Sequence, residues 1–239
     1  MSELLIRKLE LRDHLSAEEK QIIRDMVGPA RLVRSDFDIV CQGDHPSEST
    51  LLLEGFTFRS VYLKDGQRQI TSIHVPGDFV DLHCFLIKQM DHNITALTPC
   101  RIAKVPHATL QRISETQPHL TRMFWLSTLI DAAIHRRWLA AMGRQSALAH
   151  AAHLLCELYV RQNEIGLVDG ASFRAPLTQV KLADALGLSH VHTNRVVQEL
   201  RERRLVEWLG DRVTVLDWDG LAGLAEFDPT YLSLCCEPR

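Results

Sequence analysis

The stretch TQVKLADALGLSHVHTNRVVQELRERR, from Thr178 to Arg204, has the apolar and glycine spacing of two short helices joined by a tight turn. Gly187 separates the two predicted helices, because glycine is common just after the last residue of a helix. Thr178 and Ser189 stand before them as N-caps, whose hydroxyls can accept a free backbone N–H. The spacing predicts a helix-turn-helix.

Each predicted helix has one apolar face, formed within residues 182–186 and 196–200. The outer face of the second helix is polar and can hydrogen-bond base edges or phosphates in a DNA major groove. With the two caps, the candidate DNA-binding residues are Thr178, Ser189, His190, Val191, His192, Asn194, Arg195 and Gln198.

Two β-type runs, residues 205–209 and 212–216, flank Gly210-Asp211, a two-residue loop that suits a hairpin. This hairpin adds a wing to the helix-turn-helix. The alternative is a ligand-binding or protein-docking module that does not bind DNA and uses the two helices only for packing. That alternative leaves the wing and Arg195 unexplained.

The charge distribution limits how the chain can hold DNA. The formal net charge of the 239 residues is −3, so affinity for DNA has to come from a local patch. Residues 189–204 supply one, with four arginines against two glutamates. The recognition segment therefore has the sign that phosphate binding requires.

Composition predicts a soluble cytoplasmic protein. Charges interrupt the leucines near the amino terminus, which excludes an export signal there, and no apolar run is long enough to span a bilayer. The six cysteines lack zinc-type or disulfide-framework spacing, as expected in a reducing compartment. Cys235 and Cys236 are adjacent and could be an oxidisable pair, but two ordinary thiols near the carboxyl terminus are the favoured interpretation.

Residues 31–105 have short β-type runs with glycines at 43, 55, 66 and 77. Turns at this nearly even spacing are typical of an antiparallel β-roll of the cupin-like jelly-roll kind. The predicted strands include residues 51–53, 58–63, 70–75, 94–97 and 100–105.

A long helix is predicted from about Thr116, ending at Gly143, and Ser146 begins another. One apolar line along it advances by three or four residues, as a coiled-coil seam does, and predicts a homodimer interface. The alternative is a core helix that packs only within its own chain. A second line, through Leu126, Leu129 and Ala133, would lie on the roll. The predicted dimer seam is Leu120, Met123, Ser127, Ile130, Ile134, Trp138 and Ala141.

These patterns together predict an α+β chain with three parts. The parts are a sensor roll (residues 1–115), a dimerisation helix (116–143) and a winged helix-turn-helix domain (144–239).

Metal binding and catalysis are not predicted. His150 and His153 share a helical register, but they have no carboxylate or cysteine partner in the sequence. Asp78, Asp81, His83 and Asp91 form a polar group in one loop region, without a phosphate loop, nucleophile elbow or paired metal motif.

The order of roll, long helix and winged helix-turn-helix resembles the Crp/Fnr family of bacterial transcription regulators. The likeness lies in PGDFVDLHCF at 76–85, ALTPCRIAKVP at 96–106 and LADALGLSHVHTNRVVQELR at 182–201. The resemblance implies a homodimer on a palindromic promoter site, with DNA binding controlled by an effector or redox signal in the roll. It also implies contact with RNA polymerase if the protein is an activator.

The resemblance assigns roles along the recognition helix. Arg195 matches the family arginine that reads guanine, and Ser189 and Thr178 match positions that hold phosphates. His190 stands where an arginine is common, and Val191 where the family usually has a glutamate. Because valine accepts no hydrogen bond and can touch only a thymine methyl, the half-site should differ from the family consensus at that base pair.

The effector pocket departs further from the family pattern. Cyclic-nucleotide-binding members have a Gly-Glu pair after the PGD turn and an Arg-Ser or Arg-Thr pair for the phosphate, where this chain has Asp81-Leu82 and Met90-Asp91. Without the arginine, an anionic phosphate loses its charge-assisted partner, so cyclic AMP is not expected to bind. The candidate pocket residues are Asp78, Asp81, His83, Met90 and Asp91.

The cysteines and histidines of the chain bear on two other sensing chemistries. An iron–sulfur cluster is not expected, because the oxygen-sensing branch carries a cysteine cluster near its amino terminus and the first cysteine here is Cys41. A redox- or haem-linked sensor of the same family stays open as an alternative. Its candidate haem ligands are His74, His83, His92, Cys84 and Cys100.

Overall fold

The computed structural model describes residues 2–238, and its internal contacts divide them into two units. The first unit comprises the described residues up to Val61, together with Ile73–Ala132 and the segment from Ser233. The second unit comprises Tyr62–Ser72 and Ala133–Leu232. Within residues 2–238, every helix falls short of the length or the apolar character that crossing a membrane requires.

The first unit opens with two helices that the sequence analysis did not predict, α1 (Glu3–Glu10) and α2 (Ala17–Met26). Ser16 and Glu19 form a capping box at the start of α2, in which each side chain bonds the other residue's backbone N–H. Leu9 and Ile23 are buried in the same hydrophobic cluster as Leu51 and Leu53 of the roll.

Seven strands build the roll. They form two antiparallel sheets, with strand orders β1-β7-β3 and β2-β6-β4-β5. Their bounds are β1 (Arg31–Val33), β2 (Asp38–Val40), β3 (Glu48–Glu54), β4 (Thr57–Tyr62), β5 (Arg68–His74), β6 (Asn93–Ala96) and β7 (Cys100–Pro106).

Strand β3 explains why a continuous run of leucines forms a strand. Successive side chains of a strand point to opposite faces. Leu51 and Leu53 enter one core cluster, whereas Leu52 enters a second cluster. Both faces of β3 are therefore covered, and apolar residues fill every position of the run.

The four glycines at 43, 55, 66 and 77 all have positive φ, which confirms that their spacing marks turns. Gly55 shows the steric reason most clearly. A Cβ on Gly55 would lie 2.5 Å from the carbonyl oxygen of Pro99, so no other residue fits there without movement of the backbone.

Two helices follow the roll, α3 (His107–Thr116) and α4 (Pro118–Arg144). The inward face of α4 is not the one that the sequence analysis assigned. Within the chain itself, the structure buries five of the seven residues of the predicted seam, and Ser127 and Ile130 are half-buried. The five buried residues are Leu120, Met123, Ile134, Trp138 and Ala141.

The exposed apolar residues of α4 lie on another line of the helix. They are Trp125, Leu129, Leu139 and Met142, and the first three are at least half-exposed, at 65%, 50% and 69%. The same 3.6-residue period generates both lines, so periodicity alone could not decide which one meets the core. A dimer seam remains a prediction, and the exposed line is the one available for it.

The second unit contains the helix-turn-helix. The sheet order there is β8-β10-β9, and the β9–β10 hairpin at Gly210-Asp211 confirms the predicted wing. Its elements are the end of α4, then α5 (Ala147–Glu164), β8 (Ser172–Arg174), α6 (Gln179–Leu186), α7 (His190–Glu202), β9 (Val206–Leu209), β10 (Arg212–Val215) and α8 (Trp218–Ala225).

The predicted caps of the two motif helices are confirmed. The Thr178 hydroxyl accepts the N–H of Lys181, and the Ser189 hydroxyl accepts the N–H of His192, each over 3.3 Å. Gly187 ends α6 in the left-handed conformation with φ of +66°. Each capping hydroxyl satisfies one backbone donor that the helix itself cannot.

Candidate nucleic-acid interface

The recognition helix α7 buries one face and exposes the other. Thr193, Val196 and Leu200 are buried, and the Thr193 hydroxyl donates to the carbonyl of Ser189 over 3.0 Å. All eight residues proposed from the sequence to meet DNA are exposed. The helix therefore presents one continuous surface of groups that can reach base edges and phosphates.

Arg195 differs from the other arginines of this surface. Among residues 2–238 its guanidinium has no hydrogen-bond or ion-pair partner. By contrast, Arg203 pairs with Glu199 and Arg201 donates to the carbonyl of Trp208. All five guanidinium donors of Arg195 therefore remain available to a ligand.

Two arginine contacts hold the wing. Arg201 joins α7 to β9 through the Trp208 carbonyl. Arg174 of β8 donates through two nitrogens to Asp211 at the hairpin tip, at 3.0 and 2.8 Å. These contacts keep the hairpin beside the end of the recognition helix.

A buried carboxylate anchors the helices beneath the motif. Glu157 of α5 is fully buried and accepts from Trp138 Nε1 at 3.1 Å, Arg161 at 3.0 Å and Tyr231 Oη at 2.9 Å. Burial raises the pKa of Glu157, and the adjacent Arg161 charge opposes that shift. The network ties α4, α5 and the segment after α8 to one side chain.

Glu157→Ala is expected to reduce the free energy of unfolding by about 3–5 kcal/mol, because it removes the buried carboxylate that accepts from Trp138, Arg161 and Tyr231. Chemical denaturation measures the loss. Glu207→Ala, at an exposed position of β9, is the control and should change the stability by less than about 0.5 kcal/mol. Equal losses in the two variants would mean that the network adds nothing specific.

The residues of the predicted effector pocket do not form one site. Asp78 accepts the Val75 N–H over 2.8 Å and pairs with Lys8. Met90 is buried in the second hydrophobic cluster of the roll. These two residues shape the fold of the roll and are not available as a ligand surface.

Asp81 is also committed to the fold. Its carboxylate accepts from the backbone N–H and the hydroxyl of Thr50, and Lys104 donates to that hydroxyl over 2.7 Å. Complete burial raises the pKa of Asp81 to about 6. Asp81 stands where the family pattern has residues that bind a ribose. In this chain it belongs to an internal hydrogen-bond network instead.

The other two pocket residues come together with a third. His83 and Asp91 lie beside His92, and one ligand atom from each falls within 4.8 Å of the others. Burial lowers the pKa of His92 to about 4, and the nearby Arg59 charge adds to the shift. Sequence analysis expected no metal-ligand set, yet the structure assembles three side chains of metal-binding type.

The remaining candidate haem ligands face internal partners. His74 Nδ1 lies 3.2 Å from the Thr57 hydroxyl, and Cys100 donates to the carbonyls of Phe56 and Thr98. Cys84 is buried 3.3 Å from His107 Nε2, and burial raises the pKa of its thiol to about 11. Neither thiol is a ready nucleophile, because the thiolate is the reactive form.

His153, for which the sequence analysis found no carboxylate partner, has its Nε2 4.0 Å from Glu157 Oε2. His150 and His153 are buried, and burial lowers the pKa of each to about 4. The His153 ring stacks on Tyr231 with centroids 6.0 Å apart. Cys235 and Cys236 are exposed free thiols.

Sequence reasoning missed two residues that organise the sites. Arg59 is buried in the roll, where it donates to the Val80 carbonyl at 3.0 Å and pairs with Asp131 at 2.9 Å. Glu157 accepts three side-chain hydrogen bonds beneath the helix-turn-helix. A charged residue inside an otherwise apolar stretch was the only signal for either, and such residues are usually exposed.

Two family models match the chain. A model described as the cyclic nucleotide-binding domain covers residues 32–117, and one described as the Crp-like helix-turn-helix domain covers residues 150–224. The first match falls on the roll and α3, and the second begins in α5 and ends in α8.

Curated relatives match over most of both chains. The nitrogen fixation regulation protein FixK of Bradyrhizobium diazoefficiens is 30% identical over 70% of this chain and 69% of its own. FixK of Rhizobium meliloti is 28% identical over 80% and 87%. The transcriptional activator protein FnrA of Stutzerimonas stutzeri is 24% identical over 88% and 86%.

Solved structures share the fold. FixK2 from Bradyrhizobium japonicum aligns with a TM-score of 0.76 at 20% identity, covering 83% of this chain and 97% of its own. The regulator CLP of Xanthomonas campestris, described as responsive to c-di-GMP, aligns with a TM-score of 0.66 at 15% identity, covering 84% and 100%. At these identities the likeness concerns the architecture alone.

Proposed function

The chain belongs to the Crp/Fnr family of DNA-binding transcription regulators, and from that premise we propose that it binds palindromic promoter sites as a homodimer. The chain is a regulator and not an enzyme. The observation that carries the proposal is the exposed face of α7, with Arg195 at its centre and without a partner among residues 2–238. We place this regulator in the bacterial cytoplasm, with RNA polymerase as a further partner where it activates.

Base reading centres on Arg195 and Val191. Because the Arg195 guanidinium has no partner in the described part of the chain, it can take the O6 and N7 acceptors of guanine in a bidentate contact. Val191 is exposed on the same helix although it is apolar, and it offers a surface to a thymine methyl. Thr178 and Ser189, at the starts of the two motif helices, hold phosphates beside them.

The exposed line of α4 supports the dimer. Trp125 and Leu139 stand two heptads apart on one continuous helix, with Leu129 one turn after Trp125, so a second copy of the helix can cover them. Large exposed apolar side chains grouped in this way are typical of an interface. A two-fold axis along this line would present two recognition helices to a palindrome, whose half-sites lie about 34–36 Å apart.

Cyclic AMP should neither bind measurably nor be required for DNA binding. Met90 is buried in the core and Asp91 is an acid, so neither can provide the cation that a cyclic phosphate needs. Titration calorimetry with cyclic AMP measures the affinity directly. Micromolar binding would overturn the proposal of an effector other than cyclic AMP.

Selection of bound duplexes from a random DNA pool by the full-length protein tests the proposed function. An inverted repeat should be enriched, with a guanine at equivalent positions of both half-sites. Enrichment of one unrepeated motif, or of none, would contradict palindromic binding. Selection with and without fractions of cell extract would also reveal an effector requirement.

A further inference from the structure

We propose that the roll binds one divalent first-row transition-metal ion through His83 and His92, with the Asp91 carboxylate orienting the His92 ring. One nitrogen or oxygen of each of these three side chains lies within 4.8 Å of the others. The two histidine rings are tilted by 41° with their centroids 5.1 Å apart. This site is beyond the proposed DNA-binding function and does not depend on it.

Rigid structure positions His83. It belongs to a 3-10 helix, Leu82–Phe85, whose Cys84 is fully buried in the second hydrophobic cluster of the roll. The Cys84 N–H donates to the Asp81 carbonyl over 2.9 Å. A metal ligand next to a fixed backbone loses little conformational freedom on binding.

Asp91 and His92 are held in the same way from the other side. They lie between Met90 and Ile94, and both of these flanking side chains are buried in the same cluster as Cys84. The Met90 N–H also donates to the Asp44 carbonyl over 2.9 Å. The fold therefore brings two short segments together before any ligand is present.

The His92 imidazole supplies the observation that points to a ligand. Only 6% of the residue is exposed, and its Nε2 is buried without a hydrogen-bond partner among residues 2–238. Its Nδ1 lies 2.5 Å from Asp91 Oδ1. With the Nδ1 proton directed to the carboxylate, Nε2 carries a lone pair, which is the atom that a metal takes.

The local charge suits a cation. Asp91 contributes a carboxylate beside the His92 ring, 2.5 Å from Nδ1. Arg59 is the cation whose charge reaches His92, and it is paired with Asp131 at 2.9 Å. The negative charge of Asp91 is therefore left to balance the ion.

The donor set selects the class of metal. Imidazole ligands suit Zn²⁺, Fe²⁺, Co²⁺ and Ni²⁺, whereas Mg²⁺ and Ca²⁺ prefer oxygen ligands alone. The nearest thiol in sequence, Cys84, lies against His107 and Ser49 and is outside the ligand group. Two imidazole ligands leave further coordination positions for water or a small molecule.

Zn²⁺ and Co²⁺ titrations of the tag-free, chelator-treated full-length protein test the site. Wild type should bind one ion per chain with micromolar or tighter affinity, and Co²⁺ should develop a visible absorption band. His83→Gln and His92→Gln should each lower the affinity at least tenfold, in line with the losses that follow removal of metal-supporting residues. The control His14→Gln removes an exposed histidine elsewhere in the roll unit and should bind as wild type.

Thermal unfolding provides the second readout. Zn²⁺ should raise the melting temperature of wild type and His14→Gln but not of His92→Gln, because an ion stabilises only the state that binds it. If His92→Gln fails to fold, Asp91→Asn decides, since that side chain is largely exposed and its neutralisation should still weaken binding at least tenfold. Wild-type affinity in the His83 and Asp91 variants, or no micromolar binding by wild type, overturns the proposal.

Discussion

Arg195→Ala should weaken binding to the selected DNA site by about 1–3 kcal/mol, which is roughly a 5- to 150-fold loss of affinity. The reason is that Arg195 has no partner among residues 2–238, so its donors are free to form a bidentate contact with guanine. Fluorescence anisotropy with the specific duplex and with a scrambled duplex measures both affinities. The preference should relax at one base pair of each half-site.

Two matched variants separate base reading from phosphate holding. Arg203 pairs with Glu199, which already neutralises part of its charge. Arg203→Ala should therefore weaken binding to all duplexes alike and reduce the salt dependence of the affinity. Val191→Glu should shift preference toward a base pair that offers an amino donor. If Arg195→Ala lowers affinity equally for specific and scrambled DNA, then Arg195 holds phosphate and the proposed register of α7 fails.

The double variant Leu129→Asp, Leu139→Asp should convert the proposed dimer into a folded monomer and abolish specific DNA binding at concentrations where wild type is saturated. Both side chains are at least half-exposed in the single chain, so the fold tolerates the charges, whereas a dimer seam would bury them without partners. Sedimentation velocity measures the mass, and circular dichroism confirms the fold.

Two comparisons make this result specific. Leu32→Asp, at an 84% exposed position of β1, should leave the dimer intact. Ile134→Asp, on the line first predicted as the seam, should destabilise the chain itself because Ile134 is buried there. An unchanged dimer in the double variant would show that the exposed line of α4 is not the interface.

The helix-turn-helix could be predicted almost residue by residue because its signals are local. Thr178, Gly187 and Ser189 act on backbone groups within a few positions of themselves, and the structure places each in the predicted role. The turn glycines of the roll are equally local, since each is required by its own φ. Elements defined by such signals can be predicted without knowing how the rest of the chain folds.

The failures lie where distant parts of the chain decide the outcome. Both apolar lines of α4 have helical spacing, and only the packing of the whole chain selects the one that contains Leu120 and Trp138. His83 meets Asp91 and His92 because the loop between them returns to the roll. His83 and Asp91 stand eight positions apart in the sequence, and that spacing alone does not indicate the contact. The α1 and α2 helices were missed because their charged residues obscured a short apolar face.

The most direct test of the central claim is the mass of the protein–DNA complex by sedimentation velocity, with the selected duplex and with a duplex containing one half-site. Two chains should bind one full-site duplex, and the half-site duplex should bind far more weakly, because only one recognition helix can then reach its bases. One chain per full-site duplex, with equal affinity for the half-site, would contradict the account.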